Sequence, residues 1–464
     1  MPEMNDHRNP FLKTAWTIII TLVAGIAYLQ TLNIEGESEV SDDTAEVVIM
    51  QIQGKYMLGF GALMGDEEEI AMASGMLDVG SVGQRQRYMA LMIALGYPEG
   101  AIQADLHLQS DLLETGHELT AQQSIIQDNL NILAAGGKLP EKHEMMVSQL
   151  GWFGKLLVAD DKTRESMNNS ASEKILIVGS AFGLICILCV LGFGGLLVCF
   201  IRALTGTLRS SMLPPRVSHG IYAEVFAIWL LVFLSLSAVA GALAHVIAQD
   251  NLFIGMLCTL FAFFASLIVL FWARIRGISW KQLRADIGWT RGNGLNKEYL
   301  MGFSGYAMTL PILGVGILIT MVLMVFQNEV GVENDPFSGA GGGAHPIIVE
   351  IANGGWDVRI LLVFLAAVAA PIVEETMFRG VLYRQLRSAS HNIGMVLSIV
   401  ISILITSFLF AAIHPQGWVA IPALMGIAIG MNLMREWRGS LIPSMMVHGI
   451  SNGIVVSMLL VFLS

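Results

Sequence analysis

Residues 363–379 read VFLAAVAAPIVEETMFR, so Glu374 and Glu375 stand at the end of an almost wholly aliphatic run. Such a run suits lipid, where a carboxylate at mid-depth costs about 2.5–3.5 kcal/mol or more. Ionisable residues at that depth usually face a protein interior and serve a function. The stretch therefore sets two expectations: a membrane-spanning helix, and chemistry on one of its faces.

The pattern recurs downstream. His414 ends another apolar run, and His448 and Asn452 lie early in a third. The last two are four residues apart and so share one face of a helix.

Working outward, apolar spans cover residues 14–32, 174–201, 221–247, 252–273, 299–326, 358–378, 394–413, 417–434 and 441–463. Only helices and closed barrels span lipid, and runs near 20 residues select helices. Composition agrees, with 14% charged residues where a soluble protein carries roughly 25%. The expected fold class is all-α, a polytopic membrane helical bundle of about nine transmembrane helices with an inserted soluble helical domain. No leader-type cleavage site follows residue 32, so the first span is expected to stay as an anchor.

Residues 33–172 are of a different material. They hold 22 acidic and 8 basic residues, whereas the rest of the chain holds 15 and 18. That acidity argues against nucleic acid as a partner. Helix-like spacing at 88–95, 101–115, 121–135 and 141–158 predicts two helical hairpins, punctuated by Gly96-Tyr97-Pro98 and Gly136-Gly137. The charge run Asp66–Glu69 reads as a solvated helix start. The expected organisation is a cytoplasmic N-terminus and anchor over 1–32, an extracytoplasmic domain over 33–172 and a transmembrane domain over 173–464.

The orientation comes from the basic residues. Arg202, Arg209, Arg216, Arg274, Arg276, Lys281, Arg284, Arg291, Lys297, Arg384, Arg387, Arg435 and Arg438 all fall on one side if nine helices alternate. The positive-inside rule makes that side cytoplasmic. The 339–343 glycine loop then lies outside, and the chain is expected in the cell's inner (plasma) membrane. The four cysteines all lie within apolar spans, and the Cys186/Cys189 pair lacks a metal or redox context.

Glu375 and Arg379 are spaced i,i+4 and suit an ion pair. That pairing leaves Glu374, about 100° around the helix, without a local partner and fit for a general base. His448 and Asn452 together offer the hydrogen-bond donors that stabilise an oxyanion. The bland alternative is that they tie helices together, at around 0.6 kcal/mol per bond.

Three motifs in order, Glu374-Glu375-x-x-x-Arg379, Phe410-x-x-x-His414 and His448-x-x-x-Asn452, resemble the CPBP family of intramembrane proteases. That family comprises the type II CAAX prenyl endopeptidases and bacteriocin-processing (Abi) proteins. The resemblance covers about residues 220–464 and extends to Phe378, Gly380, Tyr383, Arg384 and Leu386. It implies hydrolysis of a peptide or membrane-protein substrate within the bilayer. Glu374 would activate water, His414 would help to position it, and His448 and Asn452 would stabilise the oxyanion. Glu375, Arg379 and Phe410 would support them. No cofactor is expected. The rival is a zinc site of Glu374, His414 and His448, although the chain has no HExxH motif.

Two other classes compete. A non-catalytic scaffold or receptor would bind a protein partner through 33–172. A transporter would use Glu374 as a proton carrier, but no internal repeat of the hydropathy pattern is present. Depth arithmetic leaves one difficulty. Counted from Asn392, His414 lies about 33 Å along a helix, too far to meet Glu374 at about 20 Å.

Overall fold

The computed structural model describes residues 9–31, 45–64, 74–78, 80–138, 143–212, 220–247, 251–330, 351–352 and 354–463. The Asp66–Glu69 charge run, Arg216 and the 339–343 glycine loop lie outside them. The described residues form an all-α polytopic bundle with nine helices long and apolar enough to cross a membrane.

In chain order the helices are α1 (Leu12–Thr31), α2 (Ala45–Met64), α3 (Val82–Leu95), α4 (Pro98–Thr115), α5 (Ala121–Ala134), α6 (Glu144–Leu150), α7 (Trp152–Val158), α8 (Asp161–Leu204) and α9 (Ile221–Ile247). There follow α10 (Leu252–Ile275), α11 (Trp280–Ile287), α12 (Leu295–Val330), α13 (Trp356–Ala389), α14 (Met395–Ala412), α15 (Ile421–Arg438) and α16 (Ile442–Leu463). Contacts divide the chain into two compact units. The first holds 1–34, 183–332 and 354–458, and the second holds 35–182, 333–353 and 459–464.

The second unit is built by local signals. Ser81 with Gln84, and Thr120 with Gln123, form reciprocal capping boxes at the starts of α3 and α5. Each satisfies two amides that a helix start leaves open. Gly96 ends α3 in the left-handed region at φ 86°, and Pro98 opens α4 at its first position. The predicted 141–158 helix is instead two. Gly151, at φ 59°, breaks it into α6 and α7, because a glycine takes this conformation at no steric cost. Helix α2 was not among the spacings read from the sequence. Its Gly59 lies against the Ala171 backbone of α8, where any Cβ would collide.

In the first unit one apolar cluster joins α1, α9, α10, α12, α13, α14, α15 and α16 around Trp229, Phe226, Phe378 and Phe410. Gly316 and Gly426 let α12 and α15 approach at backbone distance, the usual device where lipid supplies no hydrophobic drive. The end of the bundle is tied by buried ion pairs. Arg384 pairs with Asp286 at 3.0 Å, Arg387 with Glu436 at 3.2 Å and Arg438 with Glu298 at 2.7 Å. Arg435 donates to the carbonyls of Arg379 and Asp286. These four arginines, read from the sequence as loop cations, are therefore buried structural residues. Arg202, Arg209, Arg274, Lys281, Arg284, Arg291 and Lys297 are the exposed ones.

Candidate active site

Helix α13 carries the glutamates between two π-helical turns, Leu365–Ala369 and Thr376–Leu382. A short α segment, Ala370–Glu375, lies between them. A π turn adds a residue to the helix and often marks a functional site. Here a local cause is visible. The Ala370 amide bonds back to Leu365 in the wide register. The next residue is Pro371, which has no amide proton to offer the Ala366 carbonyl.

Asn452 of α16 fills that gap, its Nδ2 donating to Ala366 O at 3.0 Å. Gly449, one residue after His448, brings α16 against the Ala367 carbonyl, where a Cβ would clash. Proline, π turn, glycine and asparagine together fix α16 against α13. That contact sets where His448 falls.

His448 is buried, and its Nδ1 lies 2.9 Å from Glu375 Oε1. The same oxygen accepts from Arg379 at 2.9 Å. An ionised carboxylate paired with arginine only accepts, so Nδ1 is the donor and Nε2 is turned outward. That Nε2 stands 3.9 Å from Glu374 Oε2.

His414 reaches the same oxygen. It lies two residues beyond α14, its Nδ1 2.5 Å from the Phe410 carbonyl. A carbonyl accepts only, so Nδ1 again donates. Nε2 then faces Glu374 Oε2, also at 3.9 Å. Phe410 holds the two rings in place. Its ring centroid is 4.3 Å from that of His414 and 5.8 Å from that of His448, with the Arg379 guanidinium 4.3 Å away over the ring.

Glu374, His414 and His448 thus converge, and Glu375, Arg379 and Phe410 brace them. Glu374 Oε2 is buried with no hydrogen-bond partner among the described residues. Its side chain as a whole keeps 17% of its surface exposed, and that of His414 keeps 20%. The amide nitrogen of Asn452 is placed on the Ala366 carbonyl and braces α13 as well. No group of three His, Cys, Asp or Glu with the spacing to hold a metal ion is present among the described residues.

Sequence reasoning passed over the supporting residues Trp289, Thr376 and Glu436. Trp289 donates to Thr376 Oγ1 at 2.9 Å, and Thr376 donates to Ile372 O at 2.7 Å. Tyr383 donates to Glu436 at 2.7 Å. The signal for two of them was available: Thr376 directly follows the glutamates, and Glu436 sits between arginines in an otherwise apolar span.

Comparison with known proteins covers a C-terminal part of the chain that includes these residues. Residues 356–454 match the Rce1-like type II CAAX prenyl endopeptidase family model, which places this segment with the CPBP proteases. A similar protein is the membrane-embedded CAAX protease MroQ of Staphylococcus aureus (strain USA300), 26% identical over 96 residues. That match covers 21% of this chain and 38% of the relative. No solved structure matches the chain.

Proposed function

We propose that the chain is an intramembrane endopeptidase that hydrolyses peptide bonds with water activated by Glu374. The observation that carries this reading is the position of Glu374 Oε2, 3.9 Å from the Nε2 atoms of both His414 and His448. A gap of 3.9 Å is too long for a direct hydrogen bond and suits a bridging water.

In this reading Glu374 takes the proton from water as the oxygen attacks the carbonyl carbon. His414, its Nδ1–H committed to Phe410, accepts the water's other hydrogen and aims the lone pair. The carbonyl oxygen gains the displaced electron pair. His448 Nε2, when the ring carries its second proton, donates to that oxyanion. Asn452 has two amide protons; with one on Ala366, the other is left for the same oxyanion. Glu374 then passes its proton to the leaving amine. The water-derived hydroxyl stays on the acyl product, so atoms and charge balance. A base, an orienting imidazole and oxyanion donors form a complete set for acyl transfer to water.

The substrate is a peptide or membrane protein reached from the bilayer, and no metal is needed. The chain sits in the plasma or inner membrane with its N-terminus cytoplasmic and 33–172 outside, where that domain recruits a partner or substrate. The deciding experiment is Glu374→Gln assayed on a membrane peptide that the wild type cleaves. Loss of cleavage with retained folding is expected, and full cleavage would refute the assignment.

A further inference from the structure

Helix α4 of the second unit buries one side, through Ala101, Ala104 and Leu108. Its other large aliphatic residues include Ile102, Leu106 and Leu113, which are 49%, 60% and 85% exposed. At about 100° per residue these three fall within about 40° of one another, on the side away from the core. Single exposed aliphatic residues are ordinary, but three along one line of a helix form an apolar strip that suits a partner. With Gln109 the line reads 102, 106, 109 and 113, spaced by four, three and four residues. That is the spacing by which one helix lies along another. The strip is about 16 Å long.

Charge decides what covers it. From Tyr88 to Gly137 the chain has six acidic residues and no lysine or arginine. Two of the six are engaged within the unit: Asp105 accepts from Gln109 and Gln127, and Asp111 from Arg85. The other four, Glu99, Glu114, Glu118 and Asp128, are exposed. An anionic lipid surface would repel such a face. A second copy of the chain would bring the same acids to a two-fold seam. Segments 35–44, 65–73 and 333–350 of the chain itself hold 12 acidic residues and no lysine or arginine, so they carry the wrong sign as well. Interfaces pair opposite potentials and reject like ones, which leaves a basic partner.

We infer that the exposed face of α4 is a docking surface for a basic amphipathic helix of another protein. Its apolar side chains lie along Ile102, Leu106 and Leu113, and its lysines or arginines meet Glu99, Glu114 and Glu118. This surface deepens the recruiting role proposed for 33–172 and rests on it, while standing apart from the chemistry of Glu374.

The test is fluorescence anisotropy of a labelled helical peptide with the full chain in neutral detergent. The peptide has leucines spaced by four, three and four residues and lysines beside them. Saturable binding that weakens with added salt is expected. A peptide of the same composition with its leucines scrambled should bind at least about tenfold less tightly. Leu106→Gln with Leu113→Gln should weaken binding about a hundredfold, at roughly tenfold for each leucine withdrawn. Glu114→Gln with Glu118→Gln should weaken it by about threefold and flatten the salt dependence. Ile125→Gln with Ile132→Gln removes exposed aliphatic residues of α5 and should leave binding unchanged. All four residues of the two hydrophobic pairs are exposed, so wild-type circular dichroism is expected of both variants. Equal binding of the scrambled peptide, or equal loss from both pairs, would mean diffuse attraction and overturn the inference. Self-association of the wild type that Leu106→Gln with Leu113→Gln abolishes would make a second copy the occupant and overturn it too. Cleavage of a membrane substrate that is impaired by deleting 33–172 but not by Leu106→Gln with Leu113→Gln would leave recruitment standing and overturn this surface alone.

Discussion

His448 donates its Nδ1 proton to Glu375 Oε1 across 2.9 Å, and that bond turns its Nε2 toward Glu374, whose Oε2 lies 3.9 Å away. The two adjacent glutamates therefore have different surroundings. Glu375 holds Arg379 and His448 through one oxygen, while Glu374 Oε2 has no hydrogen-bond partner among the described residues.

The first prediction follows from that division. Glu374→Gln keeps size and shape but cannot take a proton. Turnover should fall by about a hundredfold or more, the usual worth of a general base. Detergent melting should stay close to wild type, because Oε2 has no hydrogen bond among the described residues to lose. A large drop in melting temperature would show that Glu374 is structural.

Glu375→Gln should behave in the opposite way. It leaves the Arg379 guanidinium, wholly buried, without its counter-charge. Breaking such a pair costs about 3–5 kcal/mol. Melting temperature and expression should suffer first, with activity lost alongside. Normal stability with turnover alone abolished would reverse the roles assigned to the two glutamates.

For Asn452 a double substitution separates brace from catalyst. Asn452→Ala should cost about 0.6–1.7 kcal/mol of stability through the lost Ala366 bond. If it also donates to the oxyanion, the barrier should rise by about 2.7–4 kcal/mol. Adding Pro371→Ala returns an amide proton to α13 and should restore stability. Activity that returns with it would limit Asn452 to bracing; activity that stays lost would put the amide in the reaction.

Metal dependence is read most simply with a chelator. If Glu374 alone activates water, prolonged chelation followed by dialysis should leave cleavage unchanged. Abolition, with recovery on added zinc, would make Glu374, His414 and His448 a ligand set.

Topology gives the last prediction. Tags at the N-terminus and beside Arg284 should be shielded in intact cells or spheroplasts, and one beside Glu118 should be accessible. This rests on the exposed basic residues Arg202, Arg209, Arg274, Lys281, Arg284, Arg291 and Lys297. A shielded Glu118 tag would invert the orientation.

The spans were legible because lipid allows so few solutions: long apolar runs become helices, and the nine found lie where hydropathy put them. The pairing of Glu375 with Arg379 was legible for a similar reason, being one turn apart on one element. What spacing could not supply was anything set between elements. The depth computed for His414 shrinks from about 33 Å to about 26 Å because α14 starts only at Met395 and stops at Ala412, after which the chain turns. Arg384, Arg387, Arg435 and Arg438 looked like loop charges because their partners Asp286, Glu436 and Glu298 lie mostly on other helices. The bracing bond of Asn452 to Ala366 was not legible because nothing in its own helix reveals a carbonyl orphaned by a proline on another.

The paired π turns of α13 make the site sensitive to the length of the chain as well as to its composition. Each wide turn acts as one residue inserted into a regular helix, so the segment bearing Glu374 is held in phase by two insertions, one before it and one after. Deleting a single alanine from 365–369 would change no charged or polar group. It would nevertheless rotate Pro371 and Glu374 by about 100° relative to the residues upstream, parting the Ala366 carbonyl from Asn452. In this helix an alanine count carries information that a list of catalytic side chains does not, and a related sequence with every polar residue intact but one apolar residue fewer would be expected to have lost the arrangement.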